Sequence, residues 1–268
     1  MGDPQPGEAT PAVAPLIDTR SQRRRVVGIT LFMLIALGFS YVFRIAQPEW
    51  HQGLNLPAWL LPFRRLPGAF GIFLGAFIAE RAFGTGRRIT ITGTSARNAG
   101  LMIVFPVLLF AIIGVANDVG IEAHLFGLAI GLQAVFWVFL EEYGWWGYLQ
   151  NELSHLRPLP RYLLIGGLWY VWHFWFLRYS PVNEPVSFLI SITSGFAILF
   201  GASWGLGVVA ESTRSILAAA CFHMLGSLIF FNPIITESVA EPIRWTIFAL
   251  CLVFWVVMLR RWIKQNEQ

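Results

Sequence analysis

Mostly apolar runs at about 26–46, 67–83, 100–117, 121–149, 162–179, 186–210, 215–231 and 243–263 alternate with short polar stretches. Each is near the ~20 residues a helix needs to cross a bilayer. The second and seventh are the shortest. The pattern predicts an all-α polytopic membrane protein with about eight transmembrane helices around an intramembrane polar cavity. Residues 1–19 are rich in Pro, Ala, Gly and Thr and hold few large apolar side chains. They read as a disordered cytoplasmic tail ahead of one polytopic domain, 20–268. The first apolar run follows Arg20, Arg23, Arg24 and Arg25 as a signal peptide would, but it is too long for one and reads as a retained helix. The segment 47–66, with Trp50, Pro57, Trp59, Pro62 and Phe63, reads as an interfacial loop at the outer face.

Composition agrees with the membrane class. The chain is 56% hydrophobic and 13% charged, against roughly 25% charged in soluble domains. A pI near 9.4 would suit a nucleic-acid binder, but the basic residues sit between apolar runs and form no stripe, so no nucleic acid is expected. With both termini cytoplasmic and eight alternating helices, fourteen of the 19 Lys and Arg fall on the cytoplasmic side and five, Arg44, Arg64, Arg65, Arg178 and Arg244, outside. The positive-inside rule favours that orientation and an even number of spans. The excess of Arg over Lys suggests a bacterial genome, hence a bacterial plasma membrane. Cys221 and Cys251 lie in apolar runs and read as buried free thiols.

Candidate chemistry sits inside the runs. Glu141 and Glu142 are adjacent in the fourth, and an ionisable residue at membrane depth points to function. His173 and His223 lie in the fifth and seventh. On alternating helices Glu141, His173 and His223 fall at a common depth of roughly 12–18 Å from the cytoplasmic face. Neighbouring helical residues point about 100° apart, so Glu141 and Glu142 cannot face one pocket equally. A buried carboxylate suits a general base. Bland readings stand beside these: a structural carboxylate pair at a helix end, core histidines bonded to carbonyls, and a Ser227 hydroxyl bonded back to its own helix. His51, His124 and His155 read as solvated, and Glu80–Arg81 and Glu211–Arg214 as charges at helix ends. Glu141, His173 and His223 are also a chemically possible zinc set, though no cofactor is expected.

Glu141-Glu142 followed by Gly147, then Trp169-x-x-x-His173, then His223 four residues before Ser227, resembles the CAAX protease and bacteriocin-processing (CPBP, or Abi) family of intramembrane proteases, over about 135–230. That family's pattern is Glu-Glu-x-x-x-Arg, Phe-x-x-x-His and His-x-x-x-Asn/Asp. The resemblance implies that Glu141 and His173 activate a water and that His223 and Ser227 stabilise the oxyanion, with a membrane-associated or lipidated peptide as substrate and membrane lipids as surroundings. Three positions depart: Trp146 stands for Arg, Trp169 for Phe and Ser227 for Asn or Asp. Trp146 leaves Glu142 without its partner one turn on, so Glu142 must be protonated, solvated or paired elsewhere. Trp146 and Ser227 also motivate an alternative, a catalytically degenerate member acting as a membrane scaffold, chaperone or bacteriocin-immunity protein. A channel or transporter ranks last, because no paired broken helices occur in corresponding halves.

Overall fold

A computed structural model describes residues 19–47, 49, 66–86, 88–173 and 185–267, and no strand occurs among them. The helices are α1 (Thr19–Tyr41), α2 (Leu66–Phe83), α3 (Ala96–Ile113), α4 (Ala123–Glu142), the short α5 (Gln150–Glu152), α6 (Pro158–His173), α7 (Pro185–Thr213), α8 (Ile216–Gly226), α9 (Pro233–Ser238) and α10 (Glu241–Asn266). Three of them widen into a π-helical turn without a break in the chain: α1 into Val42–Ala46, α4 into Tyr143–Leu149 and α8 into Ser227–Phe231. Every apolar run is helical over most of its described length; residues 114–117, 121–122 and 215 lie outside the helices. Among the described residues six helical segments are long and apolar enough to cross a membrane: Thr19–Ala46, Leu66–Phe83, Ala96–Ile113, Ala123–Glu152, Pro185–Thr213 and Glu241–Asn266. α6 and Ile216–Phe231 are shorter, so the architecture is all-α and polytopic while a count of eight crossings is not established.

Helix α1 begins at Thr19, earlier than expected, because the Arg20–Arg25 cluster continues the helix instead of preceding it. Arginine is a good helix former, and these residues extend the rod beyond its apolar part. The tail, His51 and the aromatic segment Trp50–Phe63 fall outside the described residues, except that the tail's last residue, Thr19, opens α1.

Packing uses small residues where backbones meet. A Cβ on Gly75 of α2 would lie 2.8 Å from the Phe32 carbonyl of α1, and one on Gly127 of α4 would overlap the Phe110 carbonyl of α3. Apolar tails give helices no hydrophobic reason to associate, so such close van der Waals contact holds the bundle together. Two clusters result. One joins α1, α2, α6, α7 and the π turn after α4 through Phe32, Ile72, Trp145, Trp169 and Leu206. The other joins α3, α4, α8 and α10 through Phe110, Ile130, Met224 and Trp255.

Pro106 lies inside α3 and has no N–H for the carbonyl of Met102, one turn back. Trp255 of α10 supplies the missing donor, its Nε1–H bonding Met102 O at 3.1 Å. Trp255→Phe therefore leaves a buried carbonyl without a donor, and the expected loss is about 1–3 kcal/mol, read as a lower unfolding midpoint in detergent. An unchanged midpoint would mean that water or a rearranged helix satisfies the carbonyl.

Candidate active site

Glu122 starts α4 by accepting the backbone N–H groups of His124 and Leu125. Those two bonds hold its exposed carboxyl below the ordinary carboxylate range. At the other end α4 does not stop at Glu142 but widens at once into the π turn. Tight packing surrounds that turn: a Cβ on Gly144 would overlap Ile72 of α2, and one on Gly147 would lie 2.8 Å from Ile216 of α8. π turns concentrate at functional sites because the extra residue re-aims the side chains around it. The other two occur at comparable places, one carrying Arg44 and one beginning at Ser227 just beyond His223.

The adjacent carboxylates part as their geometry requires. Glu141 lines a cavity of about 1560 Å³, with a wall that also holds His173, His223 and Ser227. Glu142 is fully buried and turns to α8, where its Oε1 pairs with Nδ1 of His223. The partner required by the missing Arg is thus a histidine from another helix. Trp146 is fully buried and meets Trp169 edge-on at 6.3 Å between ring centroids. It extends the aromatic cluster rather than answering a carboxylate.

Both histidine rings are oriented. His173 Nδ1 lies 2.9 Å from the backbone oxygen of Trp169. A carbonyl only accepts, so Nδ1 carries the proton and Nε2 is the acceptor nitrogen of the neutral ring. Trp172 packs edge-on to this ring at 4.7 Å and Trp169 at 5.5 Å. Trp169 also meets His223 at 5.2 Å, so one indole spaces the two imidazoles. The carbonyl bond expected of a mere core histidine is present at His173, yet it fixes the ring on the cavity wall.

The Glu142–His223 pair has a defined electrical state. A carboxylate beside a neutral ring would leave a net charge buried between helices, which is costly. Overall neutrality requires two protons on the pair. In the two neutral arrangements that differ only in where one proton sits along the Oε1–Nδ1 bond, imidazolium with carboxylate and imidazole accepting from the carboxylic acid, Nε2 of His223 bears a hydrogen.

Other candidates fall outside the cavity. His124 and His155 bond backbone oxygens of Ala111 and Glu152. Glu80 accepts from Tyr143 OH, and Glu211, in the last turn of α7, accepts from Arg161 and Tyr162 OH. Cys221 and Cys251 are buried free thiols. Among the described residues no three His, Cys, Asp or Glu side chains converge as metal ligands would, Glu141, His173 and His223 included.

Sequence reasoning missed Arg44, Gln133, Trp137 and Asn232 on the same wall. Arg44 lies near the end of the first apolar run and counted only as one of the five basic residues on the outer side. Gln133 and Trp137 lie two turns and one turn before Glu141, a spacing that could have drawn attention to them. Nothing in the sequence marks Asn232.

Residues 123–229 match the family model described as type II CAAX prenyl endopeptidase Rce1-like. No curated protein and no solved structure matches the chain. The matched segment contains Glu141, Glu142, His173, His223 and Ser227, and its family is the one that the motifs resemble.

Proposed function

We propose, because residues 123–229 are an Rce1-like region of the CAAX protease and bacteriocin-processing family, that this integral membrane protein is an intramembrane endopeptidase. It hydrolyses a peptide bond in a membrane-associated or lipidated protein or peptide. The observation that carries the reading is the meeting of Glu141, His173, His223 and Ser227, from three helices distant in sequence, on one cavity wall. The distribution of Arg and Lys favours cytoplasmic termini.

A water between Glu141 and Nε2 of His173 gives up a proton to that pair while its oxygen attacks the scissile carbonyl carbon. The carbonyl oxygen becomes an anion and accepts hydrogen bonds from Nε2–H of His223, whose ring Glu142 orients, and from the hydroxyl of Ser227. Glu142 holds the His223 ring in place and balances its charge, as the buried carboxylate of a catalytic triad does for its histidine. Collapse breaks the C–N bond, and the proton passes to the departing nitrogen. The products are a carboxylic acid and an amine, with no acyl-enzyme between them.

The test is cleavage of a quenched fluorescent S-farnesyl peptide by purified wild type and His173→Ala, each with and without a strong chelator. Cleavage by the wild type alone, unchanged by chelator, is the expected result. Turnover abolished by chelator would move the reading to zinc chemistry, and turnover retained by the variant would sink it. Ser227, a shorter donor than Asn or Asp, favours the second reading, a catalytically silent scaffold, chaperone or immunity protein. That reading predicts that Glu141→Ala keeps the cellular function.

A further inference from the structure

Ser227 opens the π turn Ser227–Phe231 and lines the cavity. Among the described residues its hydroxyl bonds no other group, its own helix included. What holds that turn comes from α10, beyond the matched segment, which ends at residue 229. The carbonyl of Ile229 finds no donor further along its own helix. Pro233, four residues on, carries no N–H, and the N–H of Ile234, five on, goes to Oδ1 of Asn232 at 3.0 Å. Arg244 of α10 fills the place, with Nη1 2.8 Å from Ile229 O. The last carbonyls of a helix lack partners within it and carry partial negative charge, so a guanidinium is held there by charge as well as by hydrogen bond. Arg244 is half-buried, and its Nε is sealed from solvent. Phe230, the next residue of the turn, packs edge-on against Trp245 at 5.1 Å and Phe248 at 5.4 Å between ring centroids. The turn thus has a polar and an aromatic tie to α10, both close to Ser227 in the chain.

We infer that Arg244 is a positioning residue, which fixes the backbone of the π turn so that the Ser227 hydroxyl meets the oxyanion. The inference rests on the endopeptidase reading for that role of Ser227. Serine carries its oxygen directly on Cβ, with a single torsion between backbone and donor. An asparagine carries its amide one atom further out, with a second torsion to adjust. A serine therefore has less freedom to make good a misplaced backbone, and the accuracy must come from the turn. Releasing the Ile229 carbonyl frees a peptide plane two residues from Ser227 to rotate. A displacement of about 1 Å at a reacting group can cost about 10²-fold in rate. Glu142 orients His223 from α4, and Arg244 sets Ser227 from α10. The two donors to the oxyanion are thus held by separate helices.

The test measures turnover of the quenched fluorescent S-farnesyl peptide by the full-length protein in detergent, as wild type, Arg244→Gln, Ser227→Ala and the two changes combined. Backbone hydrogen exchange over residues 227–231 is followed on the same preparations by mass spectrometry. Arg244→Gln should lower kcat about 10- to 100-fold with KM held within about twofold. It should also speed exchange over the turn by about tenfold or more. On the Ser227→Ala background the same change should lower kcat by less than about twofold, since the hydroxyl that it places is gone. Arg244→Lys keeps a cation and a donor, should fall between wild type and Arg244→Gln, and carries the comparison if Arg244→Gln does not fold. An equal fold-loss on both backgrounds, or an unchanged kcat, would overturn the inference and leave Arg244 as a brace for the bundle. Unchanged exchange over the turn would overturn it whatever the turnover. Faster exchange with no turnover by any of these proteins would sink the endopeptidase reading and leave the hold of Arg244 on the Ser227 turn standing.

Discussion

Replacing Glu141 with glutamine should lower kcat by about 10²- to 10⁴-fold, the range over which a positioned base contributes to proton transfer. The substitution keeps size and planarity and retains an oxygen on the cavity wall. It removes only the ability to take a proton from water. Glu141 is 2% exposed, and a neutral amide there avoids burying a charge, so the unfolding midpoint should hold or rise. Loss of kcat with KM and stability unchanged is the outcome that assigns a chemical role to this position. Undiminished turnover would leave His173 without its proposed partner and remove the mechanism. Activity and midpoint must be measured on the same preparation, because a fall in both would report a folding defect.

Glu142→Ala should produce the largest loss of stability of any single change at the site, about 3–5 kcal/mol, as expected when one member of a buried pair is removed. His223 would keep its place between Trp169 and the cavity with no carboxylate at Nδ1. The ring would turn or lose its second hydrogen, and kcat would fall as well. His223→Leu combined with Glu142→Leu removes both partners and leaves apolar groups of similar bulk, so the double variant should be more stable than Glu142→Ala alone. Unfolding midpoints of wild type, Glu142→Leu, His223→Leu and the double variant give the coupling between the two positions. Additive losses would mean that the pair contributes nothing beyond two separate side chains.

These expectations rest on residues that were legible to different degrees. The helices could be read because long apolar runs have few alternatives in a membrane protein. Glu141, His173 and His223 could be read because an ionisable group inside such a run is conspicuous. The partner of Glu142 could not, since it lies 81 residues away and the local pattern had led one turn along the helix to Trp146. The π turns were equally hidden. A π turn changes the phase of a helix by one residue, and a run that is apolar on every side carries no phase to disturb. Arg44 looked like any basic residue at the end of a span. Trp255 gave no sign of serving the carbonyl exposed by Pro106, because that need arises on another helix.

The segment between α2 and α3 has a mechanical consequence. Asn151 Oδ1 accepts the backbone N–H groups of Arg88 and Ile89, and Glu152 accepts that of Thr85. A few residues on, Thr90 and Ile91 bond across to the start of α8, through Ile216 N, Leu217 N and the Ser215 hydroxyl. One strand of backbone thus rivets the foot of the helix carrying Glu141 and Glu142 to the foot of the helix carrying His223. The two can rock only as a single stiff fork, with their separation at the reacting bond set from below. The foot of α7 is held too, by Thr94 N–H on the Thr213 carbonyl and Gln150 Nε2 on that of Gly207, so on the proposed reading the yielding that admits a substrate falls to its first half, which contributes no fully buried residue. On the endopeptidase reading the protein works like a vice, with one fixed jaw that keeps the chemistry in register and one looser jaw that lets the work in.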